Sequence, residues 1–235
     1  MEDLSHYNPE GSVMRKTQMR LLEMFDVFVD ICDRHNITYW IVCGTLLGAR
    51  RHGGFIPWDD DLDVAVLQRD WAKLIPILKE ELPENLKLQT RETDKKFWPY
   101  HPKIRDTRSR YYNKRSNIFE YNGIFLDIFL LEPVPSLTVK TIIDKLLVSR
   151  ARFRLAKTLW LKLKYTVISP FSPIAHIFVK LSRIYYKYIN SSSKSYAYSY
   201  GHLAYPNYNM EYFFPVSEIM FEGKNISARM RLINI

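Results

Sequence analysis

The chain has 235 residues, of which 47% are hydrophobic and 14% aromatic; that is enough apolar side chain for a packed core and excludes a wholly disordered protein. Its 34 Lys and Arg against 25 Asp and Glu leave a formal charge of +9, which favours anionic partners: phosphorylated small molecules, nucleic acid or an anionic membrane surface. With two cysteines, Cys32 and Cys43, a disulfide framework and zinc-type CxxC spacing are excluded, and both read as core residues.

In chain order, a polar and acidic start unlike a signal peptide leads into apolar residues at helical spacing: Leu21, Met24, Phe25, Phe28, Ile31 and Cys32. Ser12 is the expected N-cap of this helix and Asn36 its stop. "ITYWIVC" (37–43) is β-branched and aromatic and predicts a strand, which Gly44-Thr45 breaks; "LLGARRHGG" allows a short helix at most before a turn. "LDVAVL" (62–67) predicts a second strand, followed by an amphipathic helix opening near Asp70 and blemished by Pro76. "LKLQT", "WPYHPKIRDT" and "GIFLDIFLLEPV" read as further strands, the last apolar enough to be central. The first 133 residues thus mix helix and strand.

From 139 to 188 two apolar, helix-like stretches flank the breaker "SPFSP" and carry eleven Lys and Arg against one acid, Asp144. That pattern fits either helices with a solvated basic face or a surface for an anionic membrane or polyanionic acceptor. A Ser/Tyr-rich linker (190–209) and a short tail follow. No apolar run reaches the roughly 18 residues of a membrane span. The expectation is a cytoplasmic protein, in which the sequons at Asn36, Asn190 and Asn225 carry no glycan.

Asp59, Asp60, Asp61 and Asp63 put four carboxylates into five positions at the mouth of the second strand. Asp61 and Asp63, two apart on a strand-like segment, share one face and repel unless a cation lies between them. Magnesium, held by one or two carboxylates together with phosphate oxygens, suits such a pair. Asp127, alone in "GIFLDIFLL", is the expected third ligand, because a carboxylate in that setting is costly unless paired or metal-bound. At Gly44-Thr45 a glycine lets the backbone approach a phosphate, and a hydroxyl with free N–H groups can bind its oxygens. The order strand, Gly-Thr, short helix, Asp-x-Asp, lone strand aspartate reads as a two-metal phosphoryl-transfer site, with Pro57 and Trp58 stiffening the turn that aims it.

The stretch "YWIVCGTLLGARRHGGFIPWDDDLDVAV" closely resembles the signature of the LicD family, which includes fukutin-related proteins and is similar to nucleotidyltransferases with a polymerase-β-type core. Weaker similarity continues through "HPKIRDT" and "GIFLDIFLLEPV" to "FFPVSEIMFEGKNI". The resemblance implies an α+β fold: a mixed-sheet catalytic core flanked by helices over 1–135, a basic helical region over 136–190, and a tail over 191–235 that completes the domain. It implies transfer of phosphocholine or a polyol phosphate from a CDP-linked donor to a sugar hydroxyl of a cell-surface glycan or its precursor, such as lipopolysaccharide or teichoic acid. On this likeness Asp61, Asp63 and Asp127 hold Mg²⁺ or Mn²⁺, and Asp59 is a further ligand or the base. Gly44 and Thr45 meet the donor phosphates, and Arg50, Lys103 and Arg105 neutralise phosphate charge. A lipid-linked acceptor and peripheral contact with the inner face of the membrane are further expectations; nucleic acid is not an expected partner. Two departures stand out. Leu130, Leu131 and Glu132 occupy positions where relatives commonly have Pro and then an acid. The likeness also runs out before Ile235, so a shortened tail, with lower stability or weaker substrate binding, is expected.

Four rival readings stand beside this one, and a plain solvated acidic loop, the simplest, leaves Asp127 unexplained. A nucleotidyltransferase moving NMP from an NTP would use the same metal triad. A non-catalytic calcium loop would use Asp59, Asp61, Asp63 and Asp70 at EF-hand-like spacing, but Val64 stands where that loop needs glycine. A nucleic-acid-binding module is suggested only by charge and sixteen tyrosines, without a recognisable motif. Of the histidines, His52 beside Arg51 is a candidate for donor phosphate and His101 lies near Lys103. His6, His35, His176 and His202 read as structural or exposed.

Overall fold

Helix α1 (Val13–Arg34) begins where the Ser12 hydroxyl accepts the Arg15 N–H at 3.0 Å, satisfying a first-turn donor. It ends ahead of Asn36, whose φ of 53° turns the chain away from the helix. Both ends lie where the capping residues put them. The computed structural model describes residues 5–112, 118–190, 193–201 and 208–228. Residues 229–235, which bear on the tail expectation, and His202 lie outside the described residues.

Strand β1 (Tyr39–Ile41) is shorter than the sequence pattern suggests, because Cys43, at φ 49°, already opens helix α2 (Cys43–His52). Gly44 and Thr45 therefore lie in the first turn of a helix, not in a strand-ending turn. Gly53, at φ 69°, terminates α2 and donates its N–H to the Ala49 carbonyl. Strand β2 (Leu62–Leu67) is buried along its whole length and runs antiparallel to β1, with Trp40 opposite Ala65. Helix α3 (Gln68–Glu81) starts two residues before Asp70 and keeps Pro76 inside, burying Leu74 and Leu78 on the other turns.

Strands β3 (Leu86–Gln89), β4 (Lys103–Asp106) and β5 (Phe125–Pro133) follow; β4 pairs antiparallel with both β3 and β5, setting Lys103 opposite Asp127. The basic stretch forms α4 (Leu137–Leu155), α5 (Leu159–Ile168) and α6 (Ser172–Tyr188), with "SPF" as a 3₁₀ turn between the last two. The presumed linker contains strand β6 (Ser195–Tyr198), paired with the two-residue β7 (Tyr208–Asn209). The tail contains a hairpin of β8 (Ser217–Phe221) and β9 (Lys224–Ala228). Its two-residue loop, Glu222-Gly223, has positive φ at both positions (49° and 78°), as a tight hairpin turn demands.

A first compact unit comprises Met1–Leu130 and Glu211–Ile235. Its strands run in the order β3-β4-β5-β2-β1-β9-β8, with β9 parallel to β1 and the neighbouring pairs β1–β2, β3–β4, β4–β5 and β8–β9 antiparallel. The fold is thus α+β, a mixed sheet flanked by helices. Leu21, Phe25 and Phe28 of α1 pack with Val64 and Val66 of β2 and with Ile104, Leu126 and Ile128 of β4 and β5. Burial of each such side chain contributes about 1.5–3 kcal/mol, and truncating Phe28, fully buried, would remove about 3–5 kcal/mol.

The second unit, Leu131–Met210, holds α4 to α6 and pairs Leu131–Pro133 with β6. At its centre the buried Glu132 carboxylate accepts Arg183 Nε and Nη2 at 2.7 and 3.0 Å and the Tyr200 N–H at 3.1 Å. The departure at Glu132 from the family pattern is therefore a satisfied internal anion.

Candidate active site

The aspartate segment is aimed by a residue from another element. Gln18 of α1, 1% exposed, donates its side-chain amide to the carbonyls of Ile56 and Asp59 at 3.1 and 3.0 Å. Asp59 N–H closes the turn onto Ile56 O at 3.0 Å, whereas Trp58 is exposed and meets Tyr7 edge-on. The polar clamp of Gln18, rather than the Pro57-Trp58 pair, ties this turn to the core. A lone glutamine in an amphipathic helix carries no sequence signal for that role.

Asp61 sits immediately before β2 and Asp63 is its second residue. Carboxylate oxygens of Asp61, Asp63 and Asp127 all lie within 4.8 Å of one another. Asp63 and Asp127 are each 7% exposed, and Asp61 is half-buried. Burial, followed by the charges of Asp127, Asp59 and Asp60, pushes the Asp61 carboxyl up to about 6, against the pull of Lys103. Burial and the charges of Asp61 and Asp127 hold Asp63 well above the usual carboxylate range. Burial and the Asp60 charge also raise Asp59.

Helix α2 fixes Asp63 through its backbone. Thr45 Oγ1 accepts the Asp63 N–H at 2.8 Å, and the Val42 N–H donates to Asp63 O at 3.1 Å. Thr45 is thus buried and engaged within the protein. At Gly44 a Cβ would lie 2.8 Å from Asp59 Oδ2, so glycine is what lets the Asp59 carboxylate approach the positive end of α2. Arg50 and His52 lie exposed in the last turn of that helix, Arg50 about 9 Å along the axis from Gly44.

On the neighbouring strand Lys103 is ion-paired with Asp127, and its ammonium lies 3.7 Å over the Phe125 ring. Arg105 is committed to structure: it donates to Gln89 Oε1 at 2.8 Å and Gly123 O at 2.7 Å, and its guanidinium lies 4.5 Å from the centre of the Phe125 ring. Two further residues belong to this cluster. His101 Nε2 is 3.5 Å from Asp127 Oδ1, and burial with the charges of Lys103 and Arg105 pushes the imidazole down to about 3, leaving it neutral near pH 7. Tyr111 donates its hydroxyl to Asp60 at 2.7 Å and packs edge-on against Phe125. Chain-order reading offers no way to see either contact.

An all-carboxylate donor set of this kind suits a hard divalent cation such as Mg²⁺ or Mn²⁺. Oxygens sharing one Mg²⁺ at about 2.1 Å lie roughly 3.0–4.2 Å apart, a span similar to the 4.8 Å within which these three fall. Val64 and Val66 continue β2, which is incompatible with a calcium-binding loop of EF-hand type.

Residues 36–166, which carry α2, β2, β4 and β5 and hence all three clustered carboxylates, match the model of the LicD/FKTN/FKRP nucleotidyltransferase domain. The chain belongs to the LicD family. It is 30% identical over 158 residues to the lipopolysaccharide cholinephosphotransferase LicD of Haemophilus influenzae, covering 66% of this chain and 58% of that protein. It is 42% identical over 79 residues to the uncharacterised protein RP689 of Rickettsia prowazekii, 34% of this chain and 28% of the relative. It is also 43% identical over 42 residues to human ribitol 5-phosphate transferase FKRP, 18% of this chain and 8% of that protein. The LicD-family chain described here therefore spans little more than half the length of the Haemophilus relative and less of the others.

Proposed function

We propose that the chain is a divalent-metal-dependent transferase that moves a phospho-alcohol, phosphocholine or a polyol phosphate, from a CDP-linked donor to a sugar hydroxyl of a glycan. The observation that carries this reading is the meeting of Asp61, Asp63 and Asp127 within 4.8 Å, beside the N-terminal turn of α2. The activities by which two relatives are named, cholinephosphate and ribitol 5-phosphate transfer, support the class of group transferred.

In this scheme Asp61, Asp63 and Asp127 hold Mg²⁺ or Mn²⁺. When bound, the cations neutralise charge on the transferred phosphoryl group and on its leaving oxygen. The acceptor hydroxyl attacks the phosphorus bearing the small alcohol, its proton passes to Asp59, and the bond to CMP breaks with the electron pair leaving on CMP. Burial and the Asp60 charge raise the affinity of Asp59 for that proton. Lys103, already beside Asp127, and the first turn of α2 at Gly44 face donor phosphate; Thr45 acts by holding Asp63, and Arg105 by holding Phe125 and β4. Arg50, exposed on α2, is assigned to the outer donor phosphate. We assign the acceptor to a cell-surface glycan or its lipid-linked precursor. We assign the chain to the cytoplasm, where the thiols of Cys32 and Cys43 would stay reduced.

A thermal-shift titration of the purified chain with Mg²⁺ or Mn²⁺ and a panel of CDP-alcohols and NTPs tests this. The expected result is a metal-dependent rise in Tm with one CDP-alcohol, abolished by Asp61→Ala and Asp63→Ala, and CMP release on adding acceptor. A shift with NTPs alone would move the assignment to nucleotidyl transfer.

A further inference from the structure

Helix α6 carries two apolar stripes. Ser172, Ala175 and Val179 are buried and face inward. On the opposite side Ile174, Ile177, Leu181, Ile184 and Tyr188 recur at alternating spacings of three and four residues, and all five are exposed, Leu181 by 60% and Tyr188 by 72%. The exposed stripe runs nearly the length of a helix about 25 Å long. Helix α5 repeats the arrangement in shorter form: none of its residues is buried, and Leu159, Trp160, Leu163 and Val167 are open, Trp160 by 67%. Singly exposed apolar residues are ordinary, but contiguous stripes of this size mark an interaction surface.

The chemistry of the borders selects the occupant. Lys180 and Lys187, one heptad apart, run along one flank of the α6 stripe, and Lys187 lies 4.9 Å from the Tyr188 ring. On α5, Lys162 and Lys164 are exposed, and Lys164 lies 5.3 Å from the Trp160 ring. Between residues 145 and 190 there are ten Lys and Arg and no Asp or Glu. A second copy of the same face would meet this charge with its own and be repelled. A surface with an apolar interior and negative headgroups complements both features: lysine stems lie along the apolar boundary while their ammonium groups reach phosphate, and Trp and Tyr sit at headgroup level. No described helix is long and apolar enough to cross a membrane, so contact of this kind lies in the interface.

We propose that the exposed face of α6, assisted by that of α5, docks on the surface of an anionic phospholipid bilayer. The proposal rests on the second unit alone and does not depend on the reading of the aspartate site. Co-sedimentation of the whole chain with vesicles of mixed phosphatidylcholine and phosphatidylglycerol, beside vesicles of phosphatidylcholine alone, tests it. Binding is expected to the mixed vesicles and to weaken with added salt. The double substitution Ile177→Asn with Leu181→Asn is expected to lower it by about tenfold or more, while leaving Tm and the Mg²⁺ response unchanged because both side chains are exposed. Lys180→Gln with Lys187→Gln is expected to weaken it as well. Failure to sediment with mixed vesicles would overturn the proposal. So would binding that survives the asparagine substitutions, which would make it a matter of charge alone. A dimer in sedimentation velocity that those substitutions dissociate, without vesicle binding, would assign the face to a second copy instead.

Discussion

The Thr45 hydroxyl accepts the backbone N–H of Asp63 at 2.8 Å, so a residue in the first turn of α2 holds the peptide that presents a carboxylate of the acidic cluster. Thr45→Val keeps the shape and removes the acceptor, leaving a buried N–H unpaired at a cost of about 1–3 kcal/mol. Urea unfolding is expected to show that loss, with Thr45→Ser retaining most of the stability. Mg²⁺ affinity should fall further in the valine variant than in the serine variant. Equal affinity in both would separate Thr45 from the carboxylate cluster.

The three clustered carboxylates repel one another, and the Lys103 charge offsets only part of that repulsion. Asp61→Asn is therefore expected to act with opposite signs in two conditions. Without metal it should raise stability by about 1–3 kcal/mol, by removing one of the mutually repelling charges. With Mg²⁺ present it should lose the metal-induced rise in Tm expected of the parent protein. A variant that is destabilised without metal yet keeps the full Mg²⁺ response would refute the clustered-charge account.

Lys103 is the cation already at hand, buried against Asp127 and over the Phe125 ring. Lys103→Met leaves the buried carboxylates uncompensated and is expected to cost about 3–5 kcal/mol in the metal-free protein. Mg²⁺ should restore part of this, because it supplies the missing positive charge. Chemical denaturation with and without Mg²⁺ measures both quantities.

Glu222, in the C-terminal hairpin turn, joins three distant segments: it accepts Arg15 Nη1 and Nη2 at 3.1 and 2.7 Å and the Phe55 N–H at 3.1 Å. Burial alone would raise its pKa, but these hydrogen bonds and the Arg15 charge outweigh it and hold the carboxyl below its ordinary value of 4.5. A lowered folded-state pKa contributes stability that is present above the unfolded value and is lost as pH falls through the folded one. Glu222→Gln should therefore be less stable than the parent near neutral pH, by about 1–3 kcal/mol, and the two stability curves should converge in acid below pH 4.5. Parallel curves from neutral pH into that range would count against this ion pair.

Much of the first unit was legible in the chain. Ser12 and Asn36 bound α1, and "LDVAVL" is β2 residue for residue, because caps and continuous apolar runs are local signals. The aspartates pointed to a cation for an equally local reason: like charges two residues apart share an electrostatic cost wherever they end up. Cys43 and Gly44 misled as a strand end, since a left-handed φ at a cysteine is imposed by its surroundings and not by its own preference. Cys43 is also only half-buried, while Cys32 is fully buried, as expected of a core thiol.

The hairpin β8–β9 shows the same limit from the other side. "SEIMFEGKNISA" reads as a short tail, yet β9 lies parallel to β1, with Ile41 opposite Ala228. Parallel pairing between segments so far apart in sequence has no local mark. The residues themselves decided that a helix-and-strand core would carry an acidic segment and that a basic helical region would follow it in the chain. The tertiary structure alone decided that Gln18 aims the segment, that Thr45 holds Asp63, and that Lys103 and His101 meet Asp127. Helix caps and apolar periodicity act within a few residues, whereas hydrogen bonds and ion pairs between elements exist only once the packed core has brought their partners within about 3–4 Å.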